Sequence, residues 1–138
     1  MKSFCFSILF TLLSLSVFAQ TPQEKGEFLT QQMNPIFAFL NLDSQKQEAL
    51  LTANTQYYQI KHDFKEELLQ DAEYQQALTN NFQSSAEQEI LARVEAIKLQ
   101  QDKNYNQAIA DVVEEYGFTQ FIDNKPALLQ RVIDVYGE

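Results

Sequence analysis

Between Pro35 and Gly117 the chain contains neither a glycine nor a proline. Strand-and-turn folds need frequent breakers, because each reversal calls for a residue tolerant of unusual backbone angles. A stretch this long without either residue type therefore reads as helix. Abundant glutamine fits, since it is tolerated well in helices. The sequence predicts an all-α fold.

The helix boundaries follow from capping patterns. Thr21-Pro22-Gln23-Glu24 reads as a helix start, with Thr21 as cap, Pro22 at the first position and Glu24 closing a capping box. This first helix is expected to run to about Met33. Asn34-Pro35 then restarts a short apolar turn, PIFAFL. Ser44 with Gln47 predicts the next cap, opening a second helix to about Thr79. Its apolar stripe is Leu50, Ala53, Tyr57, Ile60, Phe64 and Leu68, with Leu78 on the same side. Residues 80–85 read as a turn. Ser84 with Glu87, or Ser85 with Gln88, caps a third helix expected to reach Tyr116, along Ile90, Val94, Ile97, Gln101, Tyr105, Ala108 and Val112. Gly117 is expected to end it in a left-handed conformation. Residues 118–124 read as a loop or a short turn, and Pro126 as the opening of a last helix carrying Leu128, Leu129, Val132, Ile133 and Tyr136.

Two long helices joined by a short turn must lie antiparallel. The expected architecture is a long antiparallel helical hairpin with short flanking N- and C-terminal helices. Beside the main stripes run further apolar residues. Leu51, Tyr58 and Leu69 flank one long helix, and Leu91, Ile109 and Val113 flank the other. A face this wide exceeds what one two-helix seam covers. These six residues are the candidate partner or client surface, to be covered by the end helices, a second copy of the chain or another protein.

The first nineteen residues have a different character. Met1-Lys2 gives a positive start, and residues 3–18 are apolar or hydroxylic without a charge. Val17 and Ala19 fit a small-residue cleavage site before Gln20. The pattern predicts a secretory signal peptide at 1–19, a single helical domain at 20–138, and a periplasmic or secreted location. The apolar run is shorter than the roughly 20 residues of a spanning helix, so stable membrane insertion after cleavage is not expected. Cleavage removes Cys5, the single cysteine, and Lys2, which takes the net charge from −9 to −10. The mature chain then has neither disulfides nor thiol chemistry. Its acidity argues against nucleic acid as a partner, since that needs clustered Lys and Arg.

Little points to catalysis. His62 is the single histidine, and with Glu66 four residues on it resembles a metal-ligating pair. Helical di-metal sites, however, need a Glu-x-x-His unit from each of two helices. No glycine-rich phosphate loop or nucleophile turn is visible. Glu66/Glu67 and Glu114/Glu115 read as exposed helix faces. The expectation is a non-enzyme without metal or cofactor, whose partners are unfolded or folded proteins, with a homodimer possible.

Residues 37–47, FAFLNLDSQKQ, resemble the entry to the second helix in the Spy/CpxP family of small periplasmic chaperones and stress sensors, which carries a Leu-Thr-x-x-Gln signature there. Leu40-Asn41-Leu42 matches the lead into it. The threonine is missing, and Asp43-Ser44-Gln45-Lys46-Gln47 continues as if one residue were deleted. At the place of the family's second signature stands Gly117-Phe118-Thr119-Gln120-Phe121, which keeps a threonine near an apolar residue. The resemblance implies an ATP-independent periplasmic chaperone or stress adaptor, working as a helical hairpin. A second stretch, residues 113–119 followed by 126–132, is similar to the C-terminal end of a family of exported helical proteins of unknown function. It implies the same fold class and no assigned activity.

Overall fold

The computed structural model describes residues 21–137, and the expected signal peptide lies outside them. Among the described residues there are five α-helices and one short 3-10 turn. They are α1 (Pro22–Phe37), the 3-10 turn (Ala38–Leu40), α2 (Ser44–Gln70), α3 (Ala72–Thr79), α4 (Ser85–Ala110) and α5 (Glu115–Tyr136). The fold is all-α, with α2 and α4 forming the long antiparallel hairpin.

Several starts are capped as the sequence predicts. The Thr21 hydroxyl accepts the Glu24 N–H at 3.2 Å. Ser84 and Glu87 form a reciprocal capping box, each side chain bonded to the other's backbone N–H. The cap of α2 is Asp43 rather than Ser44. Its carboxylate accepts the Lys46 N–H at 2.8 Å, while Gln47 donates instead to the Leu42 carbonyl. Asn41, in the left-handed region at φ 49°, ends the 3-10 turn.

Other boundaries differ. The second helix does not continue to Thr79 but breaks at Asp71, which ends α2 and caps α3 through the Tyr74 N–H at 2.9 Å. A short acidic side chain that can bond the backbone offers an alternative to the helical ladder. The third helix stops at Ala110, six residues short of Tyr116. Carboxylates are disfavoured at a helix C-terminus and favoured at an N-terminus. Asp111, Glu114 and Glu115 thus suit a break followed by a new start. Residues 118–124 are helical rather than loop, since α5 starts at Glu115 and runs through Pro126. Pro35 likewise lies inside α1. Gly117 does not terminate a helix. It is buried near the start of α5, where an added Cβ would lie 2.6 Å from Leu40 Cδ1.

The helices form two regions. A four-helix base consists of α1, α5, the first half of α2 and the second half of α4. Its core holds Leu29, Met33, Phe37, Leu50, Tyr57, Tyr58, Tyr105, Ile109, Phe121, Leu128 and Val132. Beyond it, roughly residues 60–100 form a stalk in which, among the described residues, α2 and α3 pack on α4 alone. The residues buried there are Ala77 and Val94. At its tip, Asn81 and Phe82 both adopt positive φ, 56° and 51°, and the Phe82 ring lies 5.8 Å from Tyr74.

Candidate protein-interaction surface

The base and the hairpin meet at a buried tyrosine cluster. Tyr57 of α2 stacks on Tyr105 of α4 with ring centroids 4.1 Å apart, and Tyr58 and Phe121 pack edge-on against the pair. Burial alone does not satisfy the Tyr105 hydroxyl. It donates to Asn54 Oδ1 at 2.6 Å, and the fully buried Asn54 amide donates to Thr30 Oγ1 at 2.9 Å and contacts Met33 Sδ at 3.1 Å. Beside the stack, the Lys125 ammonium donates to Asp102 and to Asn106 at 2.7 Å and lies over the Tyr105 ring. Burial pushes the phenol of Tyr105 well above its ordinary range, with Tyr58 and Tyr57 adding to it. This network ties α1, α2, α4 and α5 together. The apolar stripes placed Tyr57 and Tyr105 inward, as observed, but no sequence pattern pointed to the hydrogen bonds through Asn54.

The stack also sets the register of the hairpin. Positions 57, 61, 64 and 68 on α2 and 94, 98, 101 and 105 on α4 alternate steps of four and three, which is the spacing of a coiled-coil seam. Residues on one side of the seam, Tyr58 and Ile109 among them, are 7% and 0% exposed. On that side Asp102 meets Lys125 of α5, and Lys25 of α1 lies over the Tyr58 ring. The end helices therefore cover this flank. On the opposite side Ile60 and Ile97 are 48% and 45% exposed.

The six candidate surface residues divide accordingly. Tyr58, Ile109 and Val113 are core residues, which corrects their assignment to a surface. Leu51 and Leu91 are half-buried, and Leu69 is 55% exposed. Two surface residues come from the main stripes instead: Ile60 and Ile97, expected in the seam, lie open beside it. Leu78 is also open, and Leu99, which belonged to no stripe, is 56% exposed. Helical spacing puts Leu69 and Leu99 on the side that α1 and α5 cover lower down, past the ends of those helices. A smaller open patch, the edge-on pair Phe39 and Tyr116, lies at the far end of the base.

His62 and Glu66 are exposed on the stalk, and no group of three or more His, Cys, Asp or Glu among the described residues could hold a metal. The hollow at the stalk tip, lined by Thr79, Asn80, Ser84 and Glu87, is open and polar. There Asn80, and then the Ser84 backbone, hold the Glu87 carboxyl below its ordinary range. No described helix is long and apolar enough to cross a membrane. No protein-family model, curated protein or solved structure matches the chain.

Proposed function

We propose that this is an exported, ATP-independent protein-binding protein, chaperone-like or a stress adaptor, that engages unfolded or partner chains along its stalk. The observation that carries the reading is the open apolar side chains there: Leu69, Leu78 and Leu99 are each about half exposed on a two-layer stalk whose buried residues are Ala77 and Val94. Exposed apolar patches of this kind mark protein interaction sites. Open apolar side chains on helical surfaces suit weak and broad recognition, because adaptable contacts replace a fitted pocket. The residues 1–19 signal pattern and the Spy/CpxP resemblance at residues 37–47 support the same reading.

The test is aggregation of a denatured model protein in the presence of residues 20–138. Suppression at stoichiometric amounts is expected, with most of it lost in a Leu69→Gln/Leu99→Gln variant. Aggregation that proceeds unchanged at several-fold excess would overturn the proposal. A pull-down that returns one stoichiometric partner, without general client binding, would replace it by a dedicated interaction protein.

A further inference from the structure

The flank of the hairpin that α1 and α5 leave open is the one surface whose residues also specify an occupant. Ile60 and Ile97 lie on it, with the half-buried Phe64 beside them at the seam. Glu67 follows Ile60 by one heptad and so falls on the same flank, and Arg93, one turn from Ile97, borders it on α4. Both are exposed, and neither makes an ion pair among the described residues. The Tyr57–Tyr105 stack fixes the relative height of the two helices. Counting from it, Glu67 and Arg93 stand within about 3 Å of the same height at 1.5 Å per residue.

We infer that this flank is a two-fold interface with a second copy of the chain, the two stalks lying face to face with their tips at the same end. A two-fold axis along the hairpin lays α2 of one copy over α4 of the other. Phe64 then meets the other copy's Ile97, and Glu67 meets its Arg93, each contact occurring twice as an isologous interface requires. The opposite arrangement, tips at opposite ends, lays α2 over α2 and leaves both charges without a complement. The size is also sufficient. A face about 30 Å long and two helices, about 20 Å, wide covers about 600 Å² in projection, close to the roughly 800 Å² per partner of a standard interface. The inference does not rest on the proposed client surface, which uses Leu69 and Leu99 on the other side of the seam.

The experiment is size-exclusion chromatography with light scattering on residues 20–138, alone and with charge reversals at two exposed positions. The expected result is a dimer for the unaltered chain, monomers for Glu67→Arg and for Arg93→Glu, and a dimer again for the double reversal. Far-UV circular dichroism checks that each variant is folded. The mature chain has no cysteine, so mixing a Glu67→Cys chain with an Arg93→Cys chain under oxidising conditions reads the orientation, and a cross-linked heterodimer is expected. A monomeric unaltered chain, single reversals that stay dimeric, or a double reversal that stays monomeric would each overturn the inference. So would a dimer whose 67 and 93 positions fail to cross-link. Aggregation suppression by an unaltered chain that proves monomeric would leave the client reading standing while this one fell, and a dimer that suppresses no aggregation would do the reverse.

Discussion

Tyr105 is the residue on which the base turns. Its ring stacks on Tyr57 while its hydroxyl supplies the hydrogen bond that Asn54 Oδ1 receives in a fully buried position. Replacing Tyr105 by phenylalanine keeps the stack and strips the acceptor of its donor. An unsatisfied buried acceptor costs about 1–3 kcal/mol, so Tyr105→Phe is expected to lower the unfolding free energy by that amount, read as a lower denaturation midpoint with an unchanged denaturant slope. The same cluster sets an alkaline limit. Burial raises the phenols of Tyr57, Tyr58 and Tyr105 above their ordinary value, and for Tyr57 this outweighs the opposing pull of Lys125. A phenol that ionises at higher pH when folded contributes stability below its unfolded value of about 10. That contribution disappears as the pH rises from there toward the folded value. Stability to denaturant is therefore expected to fall above about pH 10, with phenolate absorbance from the three rings appearing together with loss of helix. Phenolate formation in a chain that stays fully helical would contradict this.

At the scale of elements, the approach of α1 to α2 depends on Gly26. A Cβ there would lie 2.5 Å from Thr55 Oγ1 and 2.7 Å from Thr55 Cα, and because Cα is backbone the helices would have to separate. Overpacking of this kind costs about 1–3 kcal/mol. At about 4 °C per kcal/mol for a domain this size, Gly26→Ala is expected to lower Tm by about 4–12 °C. Thr55 Oγ1 itself is buried with no hydrogen-bond partner among the described residues. Thr55→Val removes that hydroxyl at similar volume and is expected to raise stability by about 1 kcal/mol in the same thermal melt. None of this was readable beforehand, since a glycine needed for close approach looks like any other glycine in a single sequence. The long hairpin was legible because an absence of breakers and a Ser84–Glu87 box are local signals. Pro35, Pro126 and Gly117 misled because each tolerates a second use. The prolines lie within helices, and the glycine makes room for Leu40. The six-residue surface was half legible. Periodicity identifies a wide apolar face, but which flank the end helices cover depends on tertiary packing, and that placed Tyr58 and Ile109 inside and Ile60 and Ile97 outside.

The whole molecule joins two regions of unequal packing on one continuous pair of helices. In the base, side chains of four helices interlock around Phe121, Leu29, Met33 and Ile109, all at most 1% exposed. In the stalk two layers meet along one narrow seam, and isolated helical segments are marginal in water without tertiary packing. Local opening free energy follows the density of buried apolar contact. The stalk amides, from about residue 62 to residue 98, are therefore expected to exchange hydrogen by a sub-global opening that leaves α1, α5 and the Tyr57–Tyr105 level protected. Pairing of two stalks would bury Ile60, Phe64 and Ile97, so protection of this segment is expected to rise with protein concentration, as ligand-linked stability does. Exchange measured by mass spectrometry across a range of concentrations separates the two contributions. In an Arg93→Glu chain the stalk should exchange fast at every concentration, while the base stays as protected as before. Equal protection along the whole hairpin in that variant would mean that the two-helix seam suffices without a second layer, and the division into base and stalk would then have no energetic content.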